Sequence, residues 1–557
     1  MKDILIINLK RFGDITLSTR LAYSLAGQGH NVHFLCFKEF SGITNIMNPK
    51  INFHYIDRKR IEFILKSQLV NDHLAIDELK KTINELKEYD WDEIHNLSND
   101  KIASRIIPTI MSENTKVRGV QYRDNELIHS GSWEIYFNNI ANELTTYPVS
   151  LHEIFFRLSG HKDSTDSTLF TRSASHEETV LKNFEKIRQK FSSYGNDIRL
   201  MGITPFSSSR EKDISSDEVV STIEALKARS PYIIPILIHA PIQAEKNAVK
   251  EILEKLNNNL ITIECDFAAL VSVVENIDLL FSTDSLFVHM ANVLKTPVIC
   301  VSNGPSPTLF QGTLGASDLI LCREDIYANH NTRSATVEES TNTNWGEAYS
   351  QIITSHVQNP REINSEVFEE LGINAVIPSH TQDGFVSYKN ISLKPNHKDS
   401  QMLYVLQRNF FLKMLTATPI NMKEITEELK KHDGLESFIT EEKEKILNVT
   451  KKVLNCLRVT KVQGQNSSTI INHMSEIFSF LDNKKSLLYA PICYFYVECS
   501  QAPAVATQEE KLKYFEFKLF NLKNNIQALF QFLKDIEVTS LDSKNQSTVN
   551  RHREQRF

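Results

Sequence analysis

The sequence predicts an α/β protein built of two Rossmann-like domains facing each other across a cleft, with an all-α domain after them. Three observations carry this. Short apolar runs alternate with helical patterns from the N-terminus to about residue 165. The alternation pauses in a polar stretch and restarts near residue 198. After about residue 400 it gives way to long amphipathic helices. Strands alternating with helices imply right-handed βαβ units, and so parallel sheets covered by helices on both faces.

Taken in order, residues 4–9 are an apolar run broken only by Asn8 and ending in charge, the pattern of a buried strand. Ile15, Leu17, Leu21 and Leu25 then fall at helical spacing, predicting a helix over 15–25. Strands follow at 32–37, 53–56 and 93–97. Helices lie between them at 40–47 and 76–87, the second with Ile76, Leu79, Ile83 and Leu86 on one face. The second unit offers strands at 198–203, 233–238, 260–265, 279–282, 297–301 and 319–321. Helices at 217–228, 243–256, 267–276 and 287–294 separate most of them. Residues 361–400 are polar with few strong signals and read as a linker. Helical patterns at 402–414, 422–431, 441–457, 470–481 and 511–533 read as a bundle, and the polar end as a disordered tail. The expected divisions are 1–170, 195–360, 361–400, 401–536 and 537–557.

Composition narrows the function. With 557 residues and about 150 per domain, three to four domains are expected. The chain is 41% apolar and 24% charged, ordinary for a folded protein. Its 62 basic against 69 acidic residues give a net charge of -7, which excludes nucleic-acid binding by a global positive field. Seven cysteines without a CxxC pair argue against a disulfide framework and against a structural zinc site, and fit a reducing cytosol. No apolar stretch approaches the roughly 18 residues of a membrane span. Met1-Lys2-Asp3 leads straight into the first strand, so no signal peptide is expected.

Three loops carry candidate chemistry, each at the end of a strand, where open α/β sheets bind ligands. In Lys10-Arg11-Phe12-Gly13-Asp14, the carboxylate could take a proton from a substrate hydroxyl; alternatively it only caps the helix while Gly13 serves the turn. Thr204-Pro205-Phe206-Ser207-Ser208-Ser209-Arg210-Glu211-Lys212 could hold a phosphate, with Lys212 as a point charge, or be a solvated loop before an N-cap at Ser215 or Ser216. In Asp284-Ser285-Leu286, a helix begins whose first amides would face an anion, with His289 one turn in. The alternative is a capping residue and a buried histidine. Neither first strand is followed by GxGxxG, which removes a dinucleotide oxidoreductase. Arg58-Lys59-Arg60 reads as a solvated face and Cys493 and Cys499 as core thiols. Tyr514, Phe515, Phe517, Phe520, Phe530 and Phe532 read as bundle packing, and Arg551, His552, Arg553 and Arg556 as part of a loose terminus.

In combination, these loops resemble glycosyltransferase family 9, the ADP-heptose:lipopolysaccharide heptosyltransferases and their relatives. The resemblance rests on Ile-Ile-Asn-Leu-Lys-Arg-Phe-Gly-Asp-Ile at 6–15, Lys212, Asp284 with His289 five residues on, and the Gly304-Pro305 turn. Tyr89-Asp90-Trp91-Asp92-Glu93-Ile94 and Val117-Arg118-Gly119 add to it. It covers about residues 1–360. It implies a GT-B fold and an inverting transfer of a heptose-like sugar from a nucleotide-diphosphate donor such as ADP-heptose to a glycan or protein hydroxyl. By position, Asp14 is the implied base and Lys212 holds the donor pyrophosphate. Thr204, Ser208, Ser209, Asp284, Ser285, Leu286 and His289 line the donor side. Lys10, Arg11 and Gly13 lie on the acceptor side. No metal is implied.

The resemblance also implies a cytoplasmic protein, at most peripheral to the inner membrane face. The helical extension would serve self-association or a client protein. Thr204-Pro205-Phe206 stands where the family has His-Pro-Gly, Asp284-Ser285-Leu286 where it has Asp-Thr-Gly, and Lys212-Asp213-Ile214-Ser215 where it has Lys-x-Trp-Pro. A side chain in place of glycine restricts backbone approach to phosphate. The alternative reading is therefore a catalytically impaired nucleotide-sugar-binding or assembly scaffold.

Overall fold

The computed structural model describes residues 1–557 except 48, 67–70, 99, 124–125, 130, 164–169, 173, 304–307, 329–343, 361–364, 382–383, 395–396, 417–420, 431, 433, 462–466, 502–506 and 555–557. The chain divides into two compact units. One comprises Met1–Ser130, Ser150–Ile326 and Arg333–Lys394; the other comprises Gly131–Val149, Tyr327–Thr332 and Pro395–Phe557.

The first unit is mixed α/β. Strands β1 (Asp3–Ile7), β2 (Asn31–Phe37), β3 (Ile51–Ile56), β4 (Glu93–Asn96) and β5 (Lys116–Arg118) form a parallel sheet in the order β3-β2-β1-β4-β5. Ile4, Leu5, Ile6 and Ile7 are wholly buried, which is why β1 reads as an unbroken apolar run. A hairpin of β6 (Gln121–Arg123) and β7 (Glu126–Ile128) follows.

The second sheet contains β8 (Arg199–Thr204), β9 (Ile233–His239), β10 (Ile261–Glu264), β11 (Leu279–Thr283), β12 (Val298–Val301), β13 (Leu319–Cys322), β14 (Asn374–His380) and β15 (Val386–Ser392). Its order is β10-β9-β8-β11-β12-β13-β14-β15, with the first six strands parallel and β14 and β15 antiparallel. In both sheets the chain runs outward from the first strand in one direction and then resumes on its other side. The order therefore reverses between β1 and β4 and between β8 and β11, the places where open α/β sheets accept ligands.

Two expectations need correcting here. Residues 361–400 are not a linker: β14 and β15 extend the second sheet, and Phe368 and Ala375 are buried in its core. β15, which ends the sheet, begins by alternating buried with less buried residues, as an edge strand can, and carries little apolar signal. The boundaries at 170 and 360 also fail to mark Gly131–Val149 and Tyr327–Thr332 as parts of the other unit. Thr146 Oγ1 donates to Gln407 Oε1 at 2.6 Å, and Arg408 Nη1 donates to the Pro148 carbonyl at 2.9 Å. Contacts across some 260 residues of sequence leave no local signal.

In the second unit, the described elements from residue 398 onward are all helical: Lys398–Thr416, Met422–Leu429, Leu435–Thr460, Ser467–Phe478, Tyr489–Ser500 and Gln508–Glu554, with a short turn at Ser479–Asp482. The last helix runs through most of the stretch expected to be a disordered tail. Among the described residues no helix is long and apolar enough to cross a membrane. Arg58 and Arg60 pair with Glu39 and Glu78 on an exposed face, and Cys493 is buried. In the aromatic stripe, Phe532 is buried while Phe517 and Phe520 are exposed. The side chains of Arg551, His552, Arg553 and Arg556 lie outside those described.

Glu442 is a buried carboxylate that ties this unit together. It accepts from Ser486 Oγ at 2.8 Å, the Leu487 amide at 2.9 Å and Lys445 Nζ at 2.8 Å. Removing it leaves two buried donors without an acceptor. Glu442→Ala is therefore expected to lower stability by about 2–3 kcal/mol, read by urea unfolding followed through helical circular dichroism. A change below about 0.5 kcal/mol would contradict this role.

Candidate functional site

The site gathers at the carboxyl ends of β1, β8 and β11. After β1 the chain turns through Lys10-Arg11 into the helix Phe12–Gly27, with Asp14 in its first turn. Asp14 Oδ2 accepts the Arg11 amide at 3.3 Å, closing the helix start, while Oδ1 accepts Gln311 Nε2 at 2.7 Å. Buried Asn8 donates to the Asp14 carbonyl at 3.2 Å and to Ser18 Oγ at 3.0 Å. Capping accordingly uses one oxygen, and the other faces the second sheet's loops. Burial raises the Asp14 pKa above its ordinary 3.8, opposed by the Arg11 amide and by the charges of His289, Arg11 and Lys10.

After β8, the loop is tied on itself: Asp213 Oδ1 accepts the Ser207 amide at 2.6 Å, and Ser207 Oγ donates to the Ser209 carbonyl at 2.6 Å. A short turn, Arg210–Lys212, ends on the lysine, whose carbonyl accepts from Thr283 Oγ1. Lys212 Nζ lies 2.8 Å from Asp284 Oδ2, and both side chains are largely buried.

After β11, Ser285 is the N-cap of the helix Leu286–Leu294. His289 in that helix is 5% exposed, with Nε2 4.0 Å from Asp284 Oδ1 and a buried Nδ1 without a hydrogen-bond partner. Burial lowers its pKa against the opposing pull of Asp284 and then Asp14, so the imidazole is neutral near pH 7. A Cβ at Gly13 would lie 2.8 Å from His289 Cδ2 and Nε2, so glycine lets the two helix starts meet. Phe12 beside it stacks on Phe267 at 5.3 Å and meets Phe40 edge-on at 4.7 Å.

No family model and no curated protein matches the sequence. Among solved structures, the chain is similar to a glycosyl transferase family 9 protein from Veillonella parvula, at 16% identity over 64% of this chain and 97% of that chain, with a TM-score of 0.46. It is similar to the Escherichia coli heptosyltransferase WaaC with ADP, at 14% identity over 64% of this chain and 99% of that one, with a TM-score of 0.43. It is also similar to Anabaena Alr3699/HepE in complex with UDP and glucose, at 15% identity over 67% and 99%, with a TM-score of 0.29. The structure neighbours of this chain thus include family 9 glycosyltransferases.

Of the residues singled out from the sequence, Gly13, Asp14, Lys212, Asp284 and His289 come together. Ser285 and Leu286 open the helix beside them. Thr204 is buried and donates to Ser282 Oγ at 2.6 Å, which makes it a brace beneath the site. Ser208 and Arg11 are exposed, and Lys10 and Ser209 are partly so. The Gly304-Pro305 turn lies outside the described residues. Gln311 was missed: it lies in a loop with no periodic pattern, and only the fold brings it to Asp14. A pocket lined by Arg20, Asn292, Lys295, Asp318 and His380 lies at the far end of the helix Leu286–Leu294, away from Asp14 and Lys212.

Two outcomes follow. Gly13→Ala is expected to cost about 1–3 kcal/mol by overpacking. Combined with His289→Ala, it should cost at least about 0.5 kcal/mol less than the two single changes summed; additive costs in urea unfolding would deny the contact. The raised pKa of Asp14 means that ionising it opposes folding. Its stabilising contribution is full below the unfolded value of 3.8 and is lost as pH rises through the folded pKa. Asp14→Asn is therefore expected to raise Tm at pH 7, the gain shrinking as the solution is acidified. A Tm lowered at pH 7 would overturn the assignment.

Proposed function

We propose that the chain is an inverting glycosyltransferase of GT-B type, with its two α/β halves as donor and acceptor sides of one cleft. The observation that supports this reading most is the juxtaposition of Asp14 from the first half with Lys212, Asp284 and His289 from the second. All four follow strand ends at the points where strand order reverses.

In this reading, Asp14 takes the proton of an acceptor hydroxyl. The freed oxygen forms a bond to the anomeric carbon as the bond to the nucleoside diphosphate breaks on the opposite face, inverting that centre. The acceptor hydroxyl replaces the Gln311 amide on Asp14 Oδ1. Burial suits Asp14 to the task, because a raised pKa makes it the stronger base. The departing diphosphate carries its charge to Lys212 and to the amides that open the helix Leu286–Leu294, donors already oriented before reaction. Asp284 positions Lys212, and neutral His289 fills the space under Gly13 and keeps Asp14 and Asp284 apart. The donor is a nucleotide-diphosphate sugar, heptose-like by the motif resemblance, and the acceptor a glycan or protein hydroxyl. The helical unit would recognise the acceptor's carrier or a second copy of the chain.

Turnover of a panel of nucleotide sugars, followed by release of nucleoside diphosphate, tests this. Asp14→Asn is expected to lower kcat by about 10²–10⁴-fold, and Lys212→Ala by about 10²–10³-fold. Equal rates in wild type and Asp14→Asn would remove the base. Thermal stabilisation by a nucleotide sugar with no product would instead favour the impaired, ligand-binding reading.

A further inference from the structure

At the other end of the first sheet, three ligand-type side chains converge. Glu93 and His95 are alternate residues of β4 and so point to one face of the sheet. His161 arrives from the segment after the helix Leu151–Ser159, which ends at Gly160 in the left-handed conformation. Glu93 Oε2 lies 3.0 Å from His95 Nε2 and 3.7 Å from His161 Nε2, and the three ligand atoms all fall within 4.8 Å of one another. Tetrahedral zinc with bonds of about 2.0–2.1 Å needs ligand atoms about 3.3 Å apart, and the two measured edges bracket that spacing.

The surroundings suit an ion. Glu93 and His95 are buried, while His161 is 18% exposed, leaving one side open to a water ligand. Lys2 Nζ occupies Glu93 Oε1, orienting the carboxylate so that Oε2 faces the two imidazoles. His95 Nδ1 and the Nδ1 of neighbouring His30, whose ring is 6.1 Å from that of His161, are buried without hydrogen-bond partners.

We propose that Glu93, His95 and His161 bind one divalent zinc-class ion, with water as the fourth ligand. Each ring would bind through Nε2, His95 carrying its proton on Nδ1. The ion would staple β4 to the segment at His161. It sits at the amino end of β4, whereas Asp14 follows the carboxyl end of β1, so no step of the proposed transfer passes through it. The cysteine pattern gave no hint of it, because its ligands are two histidines and a glutamate, the outermost of them, Glu93 and His161, 68 residues apart.

The test uses the full chain, stripped with EDTA and titrated with cobalt(II). One equivalent is expected to give the visible absorption of four-coordinate cobalt, bleached by zinc, and to raise Tm. His161→Ala and Glu93→Gln are expected to weaken binding at least ~100-fold. His161→Cys should keep the ion and add a thiolate-to-cobalt charge-transfer band, a readout that survives if the alanine variant fails to fold. Absence of stoichiometric binding to wild type, unchanged binding in folded His161→Ala, or a cobalt-loaded His161→Cys protein without the thiolate band would each overturn the site.

Discussion

The missing side chain at Gly13 is the constraint on which the arrangement depends. It lets the start of the helix Phe12–Gly27 press against His289, so that Asp14 enters the same enclosure as Asp284 and Lys212. A methyl at Gly13 would press directly on the buried His289 imidazole, so a larger residue there requires the ring to shift within a packed interior. Around that contact the charges settle each other. Lys212 pairs with Asp284, the imidazole stays neutral, and Asp14 shares its two oxygens between Arg11 and Gln311.

Much of the first unit was legible in the sequence because parallel strands buried on both faces must be apolar throughout. The runs at 4–9, 198–203 and 279–282 correspond to β1, β8 and β11 within one or two residues. The loops after these strands were legible for a related reason: sharp polar interruptions of apolar runs stand out. What was hidden depended on tertiary partners. β14 and β15 lie at a sheet edge, Gly131–Val149 finds its place through Gln407 and Arg408, and Gln311 acts only because the second half brings it to Asp14.

The loop residues that differ from the family 9 motifs the sequence resembles also have a physical setting. Phe206, in place of glycine, packs against the hydrophobic core of the second sheet, and Ile214, in place of tryptophan, is buried within it. These residues serve the loop's footing. Leu286 differs, being partly exposed at the first turn of its helix, where the proposed reading brings the diphosphate.

The most direct measurement is a crystal structure of the chain soaked in mixed nucleotide sugars. The account requires diphosphate density between Lys212 Nζ and the first amides of the helix Leu286–Leu294. Density bound elsewhere, or none at saturating ligand, would contradict it.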